Sequence, residues 1–172
     1  MPGIEPNWQE AAEIVRDAGG RLIGRTKLQK IAYLLELVGL GAGFQFQYRH
    51  YGPYSEDLAD AMQMAVAFDL VSEEERKADW GGTYSIYLFS GLERSKADER
   101  ATFAQAAARV GAIELELAAT AAYLKKVEGS ETPWEDTKRL KPEKATVARL
   151  NAAKQAYRDL QKLRVPKALP NL

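Results

Sequence analysis

Few side chains in this sequence are spaced for covalent chemistry. His50 is the only histidine and there is no cysteine, so neither a triad with a second base nor a thiolate or His-rich metal site can be assembled. Glu114 and Glu116 stand two apart in a helical pattern and face different sides, so they are not a carboxylate pair aimed at one substrate. Gly39, Gly41 and Gly43 superficially resemble a dinucleotide loop. They follow a helix and precede an extended segment, the reverse of the required context, and the last glycine is missing; a flexible turn is the reading. No Gly-x-Ser-x-Gly elbow, His-Glu-x-x-His helix or Gly-Lys-Ser/Thr phosphate loop occurs. The expectation is a protein that is not an enzyme, with no metal and no cofactor, in which His50 hydrogen-bonds beside a turn.

The residues that remain are suited to binding. Arg25, Lys27 and Lys30 stand at the start of one helical pattern, and Tyr51 and Tyr54 flank the turn Gly52-Pro53. Tyrosines at a turn are rigid and amphipathic, the type enriched at interface hot spots, and the lysines beside them suit an acidic protein partner. Phe44 and Phe46 alternate with polar residues and read as core. The same cations, with Arg21 added, form the alternative: Arg21, Arg25, Lys27 and Lys30 as nucleic-acid contacts near a helix N terminus.

These residues need helices to position them. Asn7-Trp8-Gln9-Glu10 has the form of a capping box, with Ala11, Ile14, Val15 and Ala18 at helical spacing before Gly19-Gly20. Thr26-Lys27-Leu28-Gln29 reads as a second box, opening a helix with the stripe Leu28, Ile31, Leu34, Leu35 and Val38. Phe44 to Arg49 alternates as a half-buried strand that Gly52-Pro53 halts. Ser55 caps a third helix, with Glu56 and Asp57 in its first turn and Leu58, Met62, Ala65 and Val66, then Phe68 and Leu70, on its apolar side. Asp79-Trp80-Gly81-Gly82 reads as a hairpin tip leading into a strand over Thr83 to Phe89. Three helices and a hairpin are the ingredients of a winged helix, although a strand more often follows the first helix there.

Beyond Leu92 the pattern is helical. Phe103, Val110, Leu117 and Leu124 recur every seven residues, which predicts one helix over 96–127, about 45–50 Å long, bent near Gly111. Paired between chains the stripe makes a homodimer; an internal hairpin with a last helix carrying Val147, Leu150, Ala153, Tyr157, Leu160 and Leu163 satisfies it equally. Thr132-Pro133-Trp134-Glu135 is a third box starting a short helix that Pro142 ends. The tail from Pro166 is expected to fray. The fold class is mainly α (α+β): a winged-helix-like domain over 1–92 and a helical extension over 93–172 packed on it.

Length permits a core without staples, since a chain this size buries roughly 70% of its unfolded surface. Zero cysteines fit a reducing compartment, and Met1 to Asn7 lacks the pattern of an export signal, so a cytoplasmic address is expected. The apolar runs are too short and too charged to span a membrane. Formal net charge is zero but uneven: residues 125–167 hold twelve Lys/Arg against six Asp/Glu, while the first 124 hold twelve against eighteen. Within the basic end, Lys138, Arg139, Lys141 and Lys144 read as solvated surface.

Gly24-Arg25-Thr26-Lys27-Leu28-Gln29-Lys30, Tyr51-Gly52-Pro53-Tyr54-Ser55 and the run Glu114 to Leu124 together resemble the YwgA-like family of prokaryotic proteins over about residues 10 to 160. The pairing of a Lys-Leu-Gln-Lys helix with a Tyr-Gly-Pro turn is also similar to the Panacea domain of antitoxins. The first family carries no biochemistry to transfer; the second implies binding and neutralising a toxin protein. The expectation is a non-catalytic, regulatory or defence-related protein that acts through a protein partner. DNA-binding regulation is the alternative, opposed by a third helix that bears Glu56, Asp57 and Asp60 and has no Lys or Arg between Ser55 and Leu70.

Overall fold

The computed structural model describes residues 7–93 and 96–172, so the reading of Met1 to Pro6 for an export signal lies outside the described residues. α1 (Trp8–Asp17) opens as its sequence predicts: the Asn7 side chain accepts from the Glu10 amide at 3.3 Å, pairing a donor the first turn leaves open. Ala11, Ile14, Val15 and Ala18 are buried, and Gly19 and Gly20 end the helix at φ +116° and +85°. A strand does follow this first helix. β1 (Arg21–Ile23) is only three residues long, too short to show alternation in the sequence.

α2 (Arg25–Leu37) is capped by Gly24, not by Thr26, and the cap makes no side-chain bond. The reason is local: Gly24 sits at φ +98°, a conformation that favours glycine, while its amide donates to Ser85 O at 2.8 Å. All residues from Leu28 to Leu35 are buried. The expected stripe is therefore correct but too narrow, because α2 is covered on every side.

The strand expected over Phe44 to Arg49 is reduced to β2 (Gln47–Arg49), and Gly52-Pro53 does not halt it but belongs to its partner, β3 (Gly52–Tyr54). In so short a ribbon the missing amide of Pro53 removes little. Nor is the Gly39 to Gly43 segment a flexible turn. Glu36 Oε1 accepts from the amides of Ala42, Gly43 and Phe44 at 2.9, 2.8 and 3.0 Å, which folds the loop around one carboxylate.

α3 (Glu56–Ala67) begins with Ser55 Oγ accepting from the Leu58 amide at 3.1 Å. Phe68, expected on its apolar side, is 52% exposed and leans on Trp8 with ring centroids 4.9 Å apart. β4 (Val71–Lys77) and β5 (Thr83–Phe89) form the expected hairpin, with Trp80 exposed at its tip. β1 pairs with the other edge of β5, giving an antiparallel three-stranded sheet in the order β1-β5-β4.

The long helix expected over 96–127 is two helices, α4 (Glu99–Ala108) and α5 (Ala112–Lys126). Gly111, at ψ 148°, is extended and separates them; glycine is the ordinary residue least costly to take out of a helix. Phe103, Leu117 and Leu124 are buried within the chain, with α5 packed along α7 (Val147–Gln161). The seven-residue stripe is thus satisfied internally and is not an exposed dimer seam. α6 (Pro133–Leu140) starts at its proline as expected, but Thr132 makes no cap bond to the helix amides. Val147, placed in the apolar stripe by its sequence, is 70% exposed. The tail does not fray: Leu169 is buried, Lys167 N donates to Val38 O at 3.0 Å, and Tyr157 Oη donates to Pro170 O at 2.5 Å.

The fold is mainly helical α+β, and α2 and α5 are its axis. All residues from Leu115 to Leu124 are buried, as α2 is over its middle. One core cluster runs from Ala11 to Leu169 through both halves of the chain. No helix among the described residues is long and apolar enough to cross a membrane.

Candidate functional site

The sequence motifs around Lys30 and Tyr51 meet in space. The Gln29 carboxamide donates to Ser55 O at 2.9 Å and accepts from Ser55 N at 2.8 Å, both buried. Lys30 Nζ donates to Pro53 O at 2.6 Å and the residue is 1% exposed. Two adjacent residues of α2 thereby clamp the β2–β3 ribbon and the cap of α3. Gly52, at φ +91°, lies so close to α5 that a Cβ there would strike the Thr120 hydroxyl. The Tyr-Gly-Pro turn is where α2, α3 and α5 are fastened together.

A groove of about 500 Å³ opens beside this clamp, between the start of α2, one face of α3 and the β4–β5 hairpin. Leu28, Met62 and Tyr87 are buried and form its inner wall; Arg25, Tyr51 and Gln63 are exposed and stand at its mouth, with Tyr54, Val66 and Glu73 half-buried between them. Arg25 Nη2 lies 2.6 Å from Glu73 Oε1 and 3.2 Å from Oε2. That bond, larger than the opposing effect of burial, raises the guanidinium's pKa. Burial first, then Glu73, pushes the Tyr87 phenol up to about 12. The inner wall is mainly apolar, with buried Gln29 and Lys30 beside Leu28, Met62 and Tyr87, and the Arg25–Glu73 pair marks one side of the opening.

Four of the six singled-out residues line this groove: Arg25, Lys30, Tyr51 and Tyr54. Lys30 is not the surface cation expected. Burial lowers its pKa to about 7, against the opposing pull of Glu116. Lys27 points the other way, donating to Ala108 O at the end of α4 at 2.9 Å, and with Arg21 it lines a separate groove. Tyr51 is 55% exposed, with Lys144 Nζ 4.6 Å from its ring centre, close enough for a cation–π contact.

The basic run near Pro142 is only partly solvated surface. Glu116 is buried, and its carboxylate meets Lys144 Nζ at 2.9 Å and Lys141 Nζ at 3.4 Å. Lys141 also donates to His50 O at 3.1 Å. His50 thus enters the turn through its carbonyl, and the residue is exposed. Lysines from the α6–α7 connection and a glutamate from α5 close the floor under the turn that carries Tyr51.

Glu73, Met62, Val66 and Tyr87 were not picked out from the sequence. They come from three elements that only the tertiary fold brings beside Arg25. The one available signal was Glu73 itself: in Val71-Ser72-Glu73 it falls on the same strand face as the core residue Val71. Among the described residues no cluster of three metal-ligating side chains occurs. No family model, curated protein or solved structure matches the chain.

Proposed function

We propose that this chain is a non-catalytic binding protein whose groove between α2, α3 and the β4–β5 hairpin receives an apolar-anchored segment of a protein partner. A regulatory or defence-related role of the antitoxin kind is the proposed setting, resting on the resemblance of the Lys-Leu-Gln-Lys helix and Tyr-Gly-Pro turn to the Panacea domain of antitoxins. The observation that carries the reading is the groove: a mainly apolar inner wall of Leu28, Met62 and Tyr87, a mouth bearing Arg25, Tyr51 and Gln63 with Tyr54 half-buried between them, and a volume of about 500 Å³ that suits one or two large side chains. Its charged side chains and Gln29 are already engaged, Arg25 with Glu73, Gln29 with Ser55 and Lys30 with Pro53 O. Groups so held favour docking over bond-making. Exposed Asp57 and Asp60 lie on the same helix as the groove residues Met62 and Val66, which favours a segment with basic residues beside its anchor. The partner's charge is thus the reverse of that expected when the lysines were read as surface groups.

The test is photo-crosslinking in cells with benzoylphenylalanine placed at Gln63, an exposed residue of the groove. A discrete protein adduct at Gln63, missing when the probe is placed at exposed Lys162 on the last helix end, supports the reading. Equal labelling from both positions sinks it.

A winged-helix-like reading of the first half, and with it DNA binding, is supported by one observation. The order α1-β1-α2-β2-β3-α3-β4-β5, with β1 beside β5, supplies the strand after the first helix that the sequence reading lacked, although the β2–β3 ribbon between α2 and α3 departs from the usual winged-helix order. Against it, α3 exposes Glu56, Asp57 and Asp60, Lys30 is buried, and Lys27 is drawn to Ala108 O. Anisotropy of promoter duplexes at about 50 and 200 mM salt separates the two: steeply salt-dependent, sequence-preferring binding supports the DNA reading, and no binding at low salt removes it.

A further inference from the structure

Arg21 on β1 and Arg109 at the end of α4 share a property that no other arginine among the described residues has. Neither guanidinium has an ion-pair partner or a hydrogen-bond acceptor, whereas Arg16, Arg25, Arg49, Arg76, Arg100, Arg139 and Arg164 are ion-paired. Arg149 and Arg158 are hydrogen-bonded. The two unpartnered groups line the same groove.

This groove, also about 500 Å³, lies between the end of α1, β1, the first turn of α2 and the last turn of α4. It is separate from the groove on the α3 side. Arg21, Lys27 and Arg109 bring three positive charges to it and Glu93 one negative; Glu114, outside the lining, also acts on Lys27. That local excess runs against the acidic balance of the first 124 residues. Lys27 is held in place by Ala108 O, and an ammonium has two further hydrogens to donate. Gln105 adds a neutral side chain to the lining. The N-cap of α2 offers no side-chain oxygen to the first-turn amides and that turn holds no acidic residue, so the helix end adds to the positive potential beside Lys27.

We propose that this groove binds a small molecule through a phosphate monoester or a chemically equivalent compact dianion. Two arginine forks and one ammonium match a dianion in charge and in the kind of donor it takes. The concave shape and volume fall in the range of small-ligand sites. A nucleic-acid strand presents single charges along an extended line; this groove gathers its cations around one hollow.

The test is an NMR titration of the isotopically labelled full chain with inorganic phosphate and, separately, with adenosine 5′-monophosphate at constant ionic strength. Saturable shifts at Arg21 to Ile23, Lys27 and Arg109 are expected. Both arginines are exposed, so the double variant Arg21→Gln/Arg109→Gln keeps its spectral dispersion and binds at least tenfold more weakly, about 1.4 kcal/mol. Tighter binding of the nucleotide identifies a phosphate ester as the ligand, and equal binding identifies free phosphate; either supports the site. Failure to saturate by about 10 mM, weaker than any useful small-ligand affinity, overturns it. So does unchanged binding in the double variant, or displacement of phosphate by duplex DNA with shifts spreading to α3.

Discussion

Gln29 and Ser55 are joined twice through buried bonds, carboxamide to carbonyl at 2.9 Å and amide to carboxamide oxygen at 2.8 Å. Ser55 is also the cap of α3. One side chain of α2 therefore fixes where α3 begins, and with it the wall of the groove that Met62 and Val66 complete.

Replacing Gln29 by Ala leaves the buried Ser55 amide without a partner, while Ser55 O keeps the Ala59 amide at 3.2 Å. The expected loss is about 2–3 kcal/mol, from one orphaned buried donor and one lost bond to a carbonyl that is still paired. Ser55→Ala removes only the cap bond and costs about 1 kcal/mol. Urea denaturation of the two variants gives the comparison, and equal losses contradict the assignment.

Lys30 makes stability depend on pH in a set direction. Its folded-state pKa of about 7 lies below the ordinary value of 10.5. Between those values the unfolded chain holds a proton that the folded chain has released, so stability rises with pH, by at most about 1.4 kcal/mol per unit. The cost of the buried charge is full below pH 7 and relieved as pH climbs towards 10.5. Glu116 opposes the shift, while Lys141 and Lys144 add to it, and Lys141 is itself lowered by burial. The measurement is therefore a difference: between pH 6.5 and 9 the parent chain gains stability relative to Lys30→Met. Parallel profiles contradict the burial of this ammonium.

Glu116 is the counter-charge for two lysines, one of them almost wholly buried at a side-chain exposure of 5%. Glu116→Gln leaves Lys141 uncompensated inside the protein, a loss expected at about 3–5 kcal/mol. Adding Lys141→Met to that variant removes the stranded charge and restores part of the loss. A double variant no more stable than the single one shows that Lys141 finds another partner.

How much of this was legible in the sequence follows from the range of each interaction. The Asn7 and Ser55 caps, the glycine stop at Gly19-Gly20 and the β4–β5 hairpin depend on neighbours within a few residues, and they stand where the sequence puts them. The single helix over 96–127 failed because a seven-residue stripe continued through Gly111, where backbone preference overrode it. Lys30 and Lys141 were read as surface because charge is ordinarily solvated. Their burial depends on Pro53 O and Glu116, both remote in sequence. Arg25, Tyr51 and Tyr54 were found by type, whereas Met62, Val66, Glu73 and Tyr87 joined them only through the packing of α3 and the hairpin on α2.

The central claim is tested most directly by selecting peptides from a random display library on the full chain and measuring the winners against groove variants. The account predicts selected peptides that share an apolar anchor flanked by Lys or Arg, and that lose at least tenfold in affinity, about 1.4 kcal/mol, on Tyr54→Ala or Val66→Arg. Peptides without a common anchor, or with affinities that neither substitution changes, would contradict it.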